Sequence, residues 1–371
     1  MNVKVKTNKT NSVTNKKQKG VSNAMKSWRQ LKKHKMAVTA GIILIIIYFF
    51  VIFAGIISPY SPYETYKKHF YHPPTKVHFT DEDGISWPYV YETEEVGWAK
   101  YEEIKDQKYP IKLFHRGPEY KFWGLFKTNI HLLGVEEPAH LFLMGTDNFG
   151  RDIFSRILFG GRISMFIGIV GILITTIFGV TIGSISGYYG GFIDSVLMRL
   201  AEIILSIPQF YLLLALAAVM PIDMTSTMRF LLIIIILAFI SWAGMSRVIR
   251  GMVLSIKNED YVKAAKALGA TDLRIIFKHV IPSTATYVII NATLAVPGYI
   301  LMESGLSFLG LGIQEPDPSW GNMLTAAQKV TKITNYPWVL IPGLMIFIGV
   351  LFYNILGDGV RDALDPKSNK N

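Results

Sequence analysis

The stretch FLLIIIILAFISWAGM, residues 230–245, contains no charged side chain and is long enough to cross much of a bilayer as a helix. Five further apolar runs lie at 41–57, 163–187, 196–219, 287–301 and 339–356. A soluble protein with buried core helices rarely contains six such segments, and an outer-membrane barrel would show short alternating strands instead. The pattern therefore predicts an all-α polytopic membrane protein with six transmembrane helices.

The charge of the chain is concentrated at its N-terminus. The net charge is +11, the first 36 residues hold eleven Lys or Arg, and the first acidic residue is Glu64. Lys and Arg next to a span resist translocation, so residues 1–36 are predicted to be a basic cytoplasmic tail. A nucleic-acid-binding arm and a secretory signal, with a loosely cleavage-like sequence at 53–55, are the alternatives. The chain has no cysteine, which excludes disulfides and thiolate metal sites.

A cytoplasmic tail fixes the order of the remaining segments. Residues 37–57 are predicted to form the first transmembrane helix, 58–140 an extracytoplasmic insertion, and 141–367 a membrane domain of five spans, so that both termini are cytoplasmic. Residues 247–278 carry seven basic against three acidic side chains, which favours the same orientation. Arg151, Arg156 and Arg162 argue against it, because they lie outside, beside the second span. Asp147 and Asp152 offset them in part.

The extracytoplasmic insertion is rich in aromatic residues and alternates in polarity around a turn at 81–84. This pattern predicts a small folded unit with a β-hairpin. Pro88 lies in the second strand and cannot donate to a ladder, so that strand is expected at an edge. The insertion is either a docking surface on the outer side or a solvated decoration, and the sequence does not separate the two.

Three features of the spans have structural interpretations. Small residues recur every fourth position in the second span and predict tight packing against another helix: Gly179, Gly183, Gly187 and Gly191. Pro208 should kink the third span, because it removes a backbone hydrogen bond. Glu202 is expected to pair with Arg199, three residues earlier, rather than to line a pathway.

The sequence shows no catalytic or metal-binding pattern. It has no phosphate-binding loop, no zinc-protease or nucleophile motif and no dinucleotide fingerprint. Its histidines lack ligand spacing, and Glu303 is a lone carboxylate without a partner in the sequence. We therefore expect a protein that is not an enzyme, holds no metal or cofactor, and draws any energy it uses from a partner.

Residues 261–282, YVKAAKALGATDLRIIFKHVIP, lie between two spans and form a two-part amphipathic unit. An Ala-rich helix from Asp260 to Leu268 ends at Gly269, which fits a left-handed C-cap position. Thr271 can cap a second helix, and Asp272 suits its positive end.

In this second helix Leu273, Ile276 and Phe277 are expected to share one face. Pro282 is expected to end the helix and start the next span. The alanines, including Ala264 and Ala265, allow close approach. The unit is either a helix lying on lipid head groups or a knob that enters a groove of another protein, and periodicity alone leaves both open.

The same residues are similar to the cytoplasmic E-A-A-x3-G-x9-I-x-L-P loop of binding-protein-dependent ABC importer permeases. Ala264, Ala265, Gly269 and Pro282 match this motif in register, Lys263 replaces its Glu, and His279 and Ile281 replace its Ile and Leu. Three further stretches resemble the C-type permease of the oligopeptide, dipeptide and nickel branch: MGTDNFGRDIFSRILFGGRIS at 144–164, ESGLSFLGLGIQEPDPSWGNML at 303–324 and NILGDGVRDALDP at 354–366. The resemblance does not extend over 58–140.

The resemblance implies a multi-pass subunit of the cell membrane that forms half of a translocation path for peptides. Implied partners are a second, B-type permease, two ATPase subunits that bind the ATP, and an extracytoplasmic solute-binding protein, without nucleic acid. The implied ATPase-coupling loop, 257–282, includes Asp260, Tyr261, Ala264, Ala265, Leu268, Gly269, Ala270, His279 and Pro282. The alternatives are a secondary transporter or channel, an importer for nickel or another small solute, and a membrane enzyme.

Overall fold

The computed structural model describes residues 23–81, 84–221 and 224–365. The fold is mostly helical, as predicted, and the described strands are few and confined to residues 78–134. The described residues contain five helices long and apolar enough to cross a membrane: Lys35–Ile52, Ile153–Tyr189, Thr227–Ile256, Asp272–Phe308 and Pro337–Leu364. A sharply bent helix pair raises this number to six if it is one span. The basic tail before residue 23 and the centre of the predicted turn, 82–83, lie outside the described residues.

The helices are α1 (Asn23–Lys33), α2 (Lys35–Ile52), α3 (Ala54–Ile57), α4 (Ile153–Tyr189), α5 (Gly191–Ser206), α6 (Gln209–Ala218), α7 (Ser226–Ile256), α8 (Asp260–Ala267), α9 (Asp272–Ile275), α10 (Ile281–Phe308), α11 (Trp320–Met323), α12 (Val330–Asn335) and α13 (Ile341–Leu364). A π-helical turn, Ile276–Val280, joins α9 to α10, and 3₁₀ turns lie at Leu324–Gln328 and Pro337–Leu340. The strands are β1 (His78–Asp81), β2 (Gly84–Gly97), β3 (Lys100–Pro110), β4 (Lys112–Phe122) and β5 (Phe126–Gly134).

The third apolar run is the bent pair, α5 and α6. The two helices meet at an angle of 83° across a break at Ile207 and Pro208. The kink predicted at Pro208 is confirmed, and it is a complete break rather than a bend. The predicted ion pair in α5 is also present, because Arg199 Nη1 lies 3.2 Å from Glu202 Oε2 on an exposed surface.

Helix α4 packs against α7 along its small residues. A Cβ atom on Gly183 would lie 2.5 Å from the Ser246 carbonyl oxygen, and one on Gly179 would lie 2.8 Å from Met245 Cβ. Gly187 approaches Arg250 and Val253 in the same way. Gly191 does not belong to this contact, so its inclusion in the packing stripe is wrong. It lies beyond the end of α4 with a φ of +55°, and its Cβ position has no neighbour within 4 Å among the described residues.

The insertion contains two antiparallel sheets, β1–β2–β3 and β4–β5. The predicted hairpin is formed by β1 and β2, with Thr80 opposite Ile85. The expectation that the strand containing Pro88 lies at an edge is wrong, because β2 is the central strand of its sheet. The proline is tolerated because the β1 register shifts between His78 and Thr80, so that a regular ladder partner is not required there.

The insertion begins and ends at neighbouring points of the chain. The Thr75 N–H donates to the Phe142 carbonyl at 2.9 Å, and the Phe142 N–H donates to Thr75 Oγ1 at 2.9 Å. Further along, the Thr146 N–H donates to the His72 carbonyl at 2.9 Å. Residues 66–75 and 142–150 therefore form a seam that closes the insertion at its base.

Three histidines that are distant in sequence meet at this seam. The ring of His69 lies 4.8 Å from that of His140 and 5.4 Å from that of His72, measured between centroids. Burial lowers the pKa of His69 to about 3 and the pKa of His72 to about 4, and it also lowers the pKa of His140. The cluster is therefore uncharged at neutral pH.

The arginines beside the second span are all bound within the protein. Arg151 Nε donates to Asp147 Oδ2 at 2.8 Å, and its Nη1 donates to Glu315. Arg156 is almost fully buried, and its Nη2 donates to both oxygens of Glu315 at 3.1 Å. Arg162 Nε donates to the carbonyl of Val51 at 3.1 Å. Ion pairing and carbonyl acceptors therefore compensate the positive charge that the sequence pattern left unexplained.

Candidate functional site

The loop that follows α7 is a compact turn with a glycine in the left-handed conformation. Helix α8 ends at Ala267, and Gly269 has a φ of +81°. The Gly269 N–H donates to the Lys266 carbonyl at 3.0 Å, and the Ala270 N–H donates to the Ala265 carbonyl at 3.1 Å. These two bonds define a Schellman motif, so the predicted left-handed C-cap at Gly269 is confirmed.

The second half of the loop differs from the prediction. Thr271 occupies the N-cap position of α9, but its side chain makes no capping hydrogen bond. Pro282 does not end a helix, because α9, the π turn and α10 form one continuous span, Asp272–Phe308. The Ile281 N–H bonds to the Ile276 carbonyl, five residues back, and this wider turn lets the helix continue through Pro282 without a break.

Of the three residues predicted to share one face of the second helix, only Ile276 departs from the prediction. Ile276 is buried, but Leu273 and Phe277 are 61% and 65% exposed, and Leu268 at the Schellman turn is 88% exposed. The buried face consists instead of Ile275, Ile276 and Val280, which pack with Val262 against α7 residues Ile249 and Val253. We call Leu268, Leu273 and Phe277 the apolar face of the loop.

The other predicted loop residues lie around this core. Tyr261 OH is 3.1 Å from Ser283 Oγ, and its ring centroid is 6.2 Å from that of His279. Asp260, Ala264 and Pro282 are exposed. Ala265 and Ala270 are half-buried and pack against the buried cluster of the loop itself, so Ala265 permits close approach within the chain.

Two polar contacts connect the loop to the end of α4, and a third joins α7 to α5 beside it. Tyr188 OH donates to Asp272 Oδ1 at 2.7 Å, and Lys257 Nζ donates to the Gly187 carbonyl at 2.9 Å. Arg250 Nη2 lies 2.5 Å from Asp194 Oδ2. Sequence reasoning missed these pairs, because their members lie far apart in the chain and nothing in the spacing links them.

A cavity of about 410 Å³ lies between the spanning helices α4, α7 and α10 and the broken helix α6. Its polar side chains bond to one another: Thr175 Oγ1 lies 2.5 Å from Tyr299 OH, and Gln209 Nε2 donates to Ser241 Oγ at 3.0 Å. The lining residues, which include no charged side chain, are Ile172, Thr175, Gln209, Ser241, Gly244, Met245, Tyr287, Asn291, Ala295, Gly298, Tyr299 and Met302. The polar residues Thr175, Gln209 and Ser241 interrupt three of the apolar runs, but nothing in their spacing links them, so the sequence did not predict this site.

Glu303, which has no partner nearby in sequence except serines, is fully buried and hydrogen-bonded. Ser164 Oγ donates to Glu303 Oε2 at 3.0 Å, and Ser307 Oγ donates to Oε1 at 2.7 Å. Ser164 also accepts the Trp320 N–H at 3.1 Å. This network joins α4, α10 and α11. Within the described ranges, no group of three or more His, Asp or Glu side chains is arranged to hold a metal ion.

Residues 179–370 match the family described as the binding-protein-dependent transport system inner membrane component. Residues 23–74 match the N-terminal transmembrane domain of oligopeptide transport permease C. The oligopeptide transport system permease protein OppC of Bacillus subtilis (strain 168) is 41% identical over 257 residues, which cover 68% of this chain and 80% of the relative.

Two further relatives are similar over somewhat shorter stretches. The dipeptide transport system permease protein DppC of the same organism is 43% identical over 224 residues, covering 60% of this chain and 68% of the relative. The oligopeptide transport system permease protein OppC of Haemophilus influenzae (strain ATCC 51907 / DSM 11121 / KW20 / Rd) is 42% identical over 232 residues, covering 62% and 71%.

Proposed function

We propose that this chain, which belongs to the family of binding-protein-dependent transport system inner membrane components, forms half of a translocation path for peptides. As a member of that family it is a multi-pass permease subunit of an ABC importer. The other half is a second, B-type permease. Two ATPase subunits bind the ATP, this chain catalyses no reaction, and an extracytoplasmic solute-binding protein delivers the peptide. The N- and C-termini and the loop 257–282 are cytoplasmic, and no nucleic acid takes part.

The observation that carries the coupling role is the apolar face of the loop. Leu268, Leu273 and Phe277 are exposed on a unit whose other side is fixed to α7 by Val262, Ile275 and Val280. Exposed apolar patches of this kind are typical of surfaces that a partner covers. A short helix bearing such a face fits a groove, and here the groove belongs to an ATPase subunit. A force on the loop reaches α7 and α10 directly, because the two helices pack on the same cluster.

The cavity supports peptides as the cargo. Its lining offers hydroxyl and amide groups and no charged side chain, so it can hydrogen-bond the backbone amides that all peptides share. It has neither the imidazole nor the carboxylate groups that a bare nickel ion would need, which disfavours the nickel alternative. The volume of about 410 Å³ lies within the usual range of small-molecule sites. The names of the relatives, which refer to oligopeptides and dipeptides, agree with this cargo.

The test changes the exposed apolar face and leaves unchanged the buried side chains that hold the loop on α7. Leu268→Glu and Phe277→Glu should leave the chain inserted at normal levels, because both side chains are exposed. Peptide uptake should be lost and co-purification of the ATPase subunits should fall, since each change places a charge in the proposed groove. Gly269→Val should have the same effect by straining the left-handed turn, at a cost of roughly 1 kcal/mol or more.

The matched control is Lys263→Ala, an exposed residue of the same loop outside the apolar face. It should retain uptake and ATPase association. If Leu268→Glu and Phe277→Glu both transport peptides normally, the ATPase does not bind this face. If the face variants fail and Lys263→Ala fails equally, the loop binds through its charge, as a helix on lipid head groups would.

A further inference from the structure

The turn between β4 and β5 is unusually apolar for the tip of a hairpin. Residues 122–126 read FWGLF, and Gly124 supplies the positive φ, +75°, that the turn requires. Leu125 is 81% exposed and Phe126 is 57% exposed. Turns that are exposed to water are normally built from Gly, Pro, Asn, Asp and Ser. A turn with this many apolar side chains is unfavourable in water. We call residues 122–126 the hairpin tip.

The hairpin tip is bound to the end of the first span. Trp123 Nε1 donates to the carbonyl of Ile52 at 3.1 Å, and Ile52 is the last residue of α2. Arg162 binds the same carbonyl, because its Nη2 donates to the Ile52 carbonyl at 3.1 Å. Its guanidinium also lies 4.7 Å from the centre of the Trp123 ring. The depth of the tip relative to the membrane is therefore fixed by the point where α2 leaves it.

The exposed surface of the tip continues the exposed surface of the span. Phe49 and Phe50 on the last turn of α2 are exposed, and Phe53 lies 6.0 Å from Phe122 between ring centroids. Aromatic residues concentrate where a span meets the membrane–water interface. Trp123 is such a residue, and the guanidinium of Arg162 is held beside it by the carbonyls of Val51 and Ile52.

We propose that the hairpin tip is inserted in the interfacial layer of the membrane leaflet on the side of the insertion. Its partner is the lipid bilayer, since the exposed Leu125 and Phe126 continue the exposed apolar surface at the end of α2. A binding protein in solution would have to reach below the head groups to cover them.

The absence of cysteine allows the depth of single positions to be measured in the assembled transporter. Leu125→Cys carries a fluorophore that reports on its surroundings. Two reference variants are Ile46→Cys on the exposed surface of α2 and Ile85→Cys, which is 95% exposed in the other sheet of the insertion. Each is exposed to a lipid that carries a quencher near its head group and, separately, to a water-soluble quencher.

At position 125 the lipid quencher should remove most of the fluorescence and the water-soluble quencher little of it, with or without the binding protein. This result depends on the membrane alone and does not require transport. Equal sensitivity of positions 125 and 85 to the water-soluble quencher would place the tip in solution and overturn the proposal. Protection of position 125 from both quenchers would show that a protein subunit covers it, which would also overturn the proposal.

Discussion

Gly183 determines how closely α4 and α7 approach. Its missing side chain leaves room for the Ser246 carbonyl and for Ile249, which a Cβ atom would meet at 2.5 and 2.8 Å. We expect Gly183→Ala to destabilise the protein by about 1–3 kcal/mol, because backbone on the facing helix must move. The measurement is the midpoint of thermal unfolding of the purified protein.

Gly251 is the matched control for this change. It lies in α7, and its Cβ position has no neighbour within 4 Å in the described part of the chain. Gly251→Ala should be neutral or stabilising by up to about 1 kcal/mol, since alanine favours the helix. Equal midpoints for the two variants would show that α4 and α7 are not held at this distance in the membrane.

The histidine cluster predicts that the seam weakens in acid. His69, His72 and His140 all have a pKa below that of an exposed histidine, so the folded seam binds fewer protons than the opened one. Stability is therefore complete above about pH 6.5 and falls as the pH decreases toward about 4. For His72, whose pKa is about 4, the loss amounts to something on the order of 3 kcal/mol.

Amide hydrogen exchange of residues 66–75 and 142–150, corrected for the intrinsic effect of pH, measures the part of this loss that falls between pH 7 and pH 5, about 2 kcal/mol for His72. Lys68 and Glu137 also act on the cluster, so the control changes only an imidazole. His140→Phe can keep the stacking on Phe142 and should reduce the pH dependence. Protection that is the same at both pH values would contradict the prediction.

At the scale of elements, three prolines show what a local rule can predict. Pro208 was expected to kink its helix and instead divides it into two, because it lacks an N–H. Pro282 lies within a continuous span, because a π turn precedes it. Pro88 lies in a central strand, because the facing strand shifts its register there. The local rule states only that a proline lacks an N–H donor. Whether the helix or strand is interrupted depends on the neighbouring segments, whose structure a single sequence does not show.

The insertion is a separable element, because its ends meet at the seam. Joining Thr75 to Phe142 through a short Gly-Ser turn, in place of residues 76–141, should leave a chain that inserts and associates with the ATPase subunits. Peptide delivery by the binding protein should weaken, since the β1–β3 sheet with its exposed apolar side chains is lost. Uptake by membrane vesicles at several concentrations of binding protein measures this effect.

Two outcomes would contradict this prediction in different ways. Unchanged uptake would show that the insertion is a decoration. Loss of membrane insertion or of ATPase association would show that the seam depends on the sheets for its own stability. Leu268→Glu serves as the control, because it should abolish transport while leaving the extracytoplasmic segment, residues 58–140, unchanged.

At the scale of the whole molecule, the apolar runs predicted the helical membrane fold, because span length and composition are properties of each segment alone. The loop 257–282 was located for a similar reason, since Gly269 and its neighbours form a local turn. The cavity, the Glu303 network and the arginine cluster could not be predicted, because their members come from different helices. Arg156 and Glu315, for example, are brought together only by the complete fold.

The length of α7 determines how far the middle of the helix moves when one of its ends moves. The helix has 31 residues and is about 46 Å long, which exceeds the roughly 30 Å of the bilayer core. Ser241, which lines the cavity, lies halfway between Ser226 and Ile256, where the loop begins. If α7 tilts as a rigid rod about Ser226, a shift of about 2 Å at Ile256, which is typical of helix movements at subunit interfaces, becomes a rotation of about 2–3° and moves Ser241 by about 1 Å. In such a tilt the loop would travel twice as far as the cavity wall that it displaces.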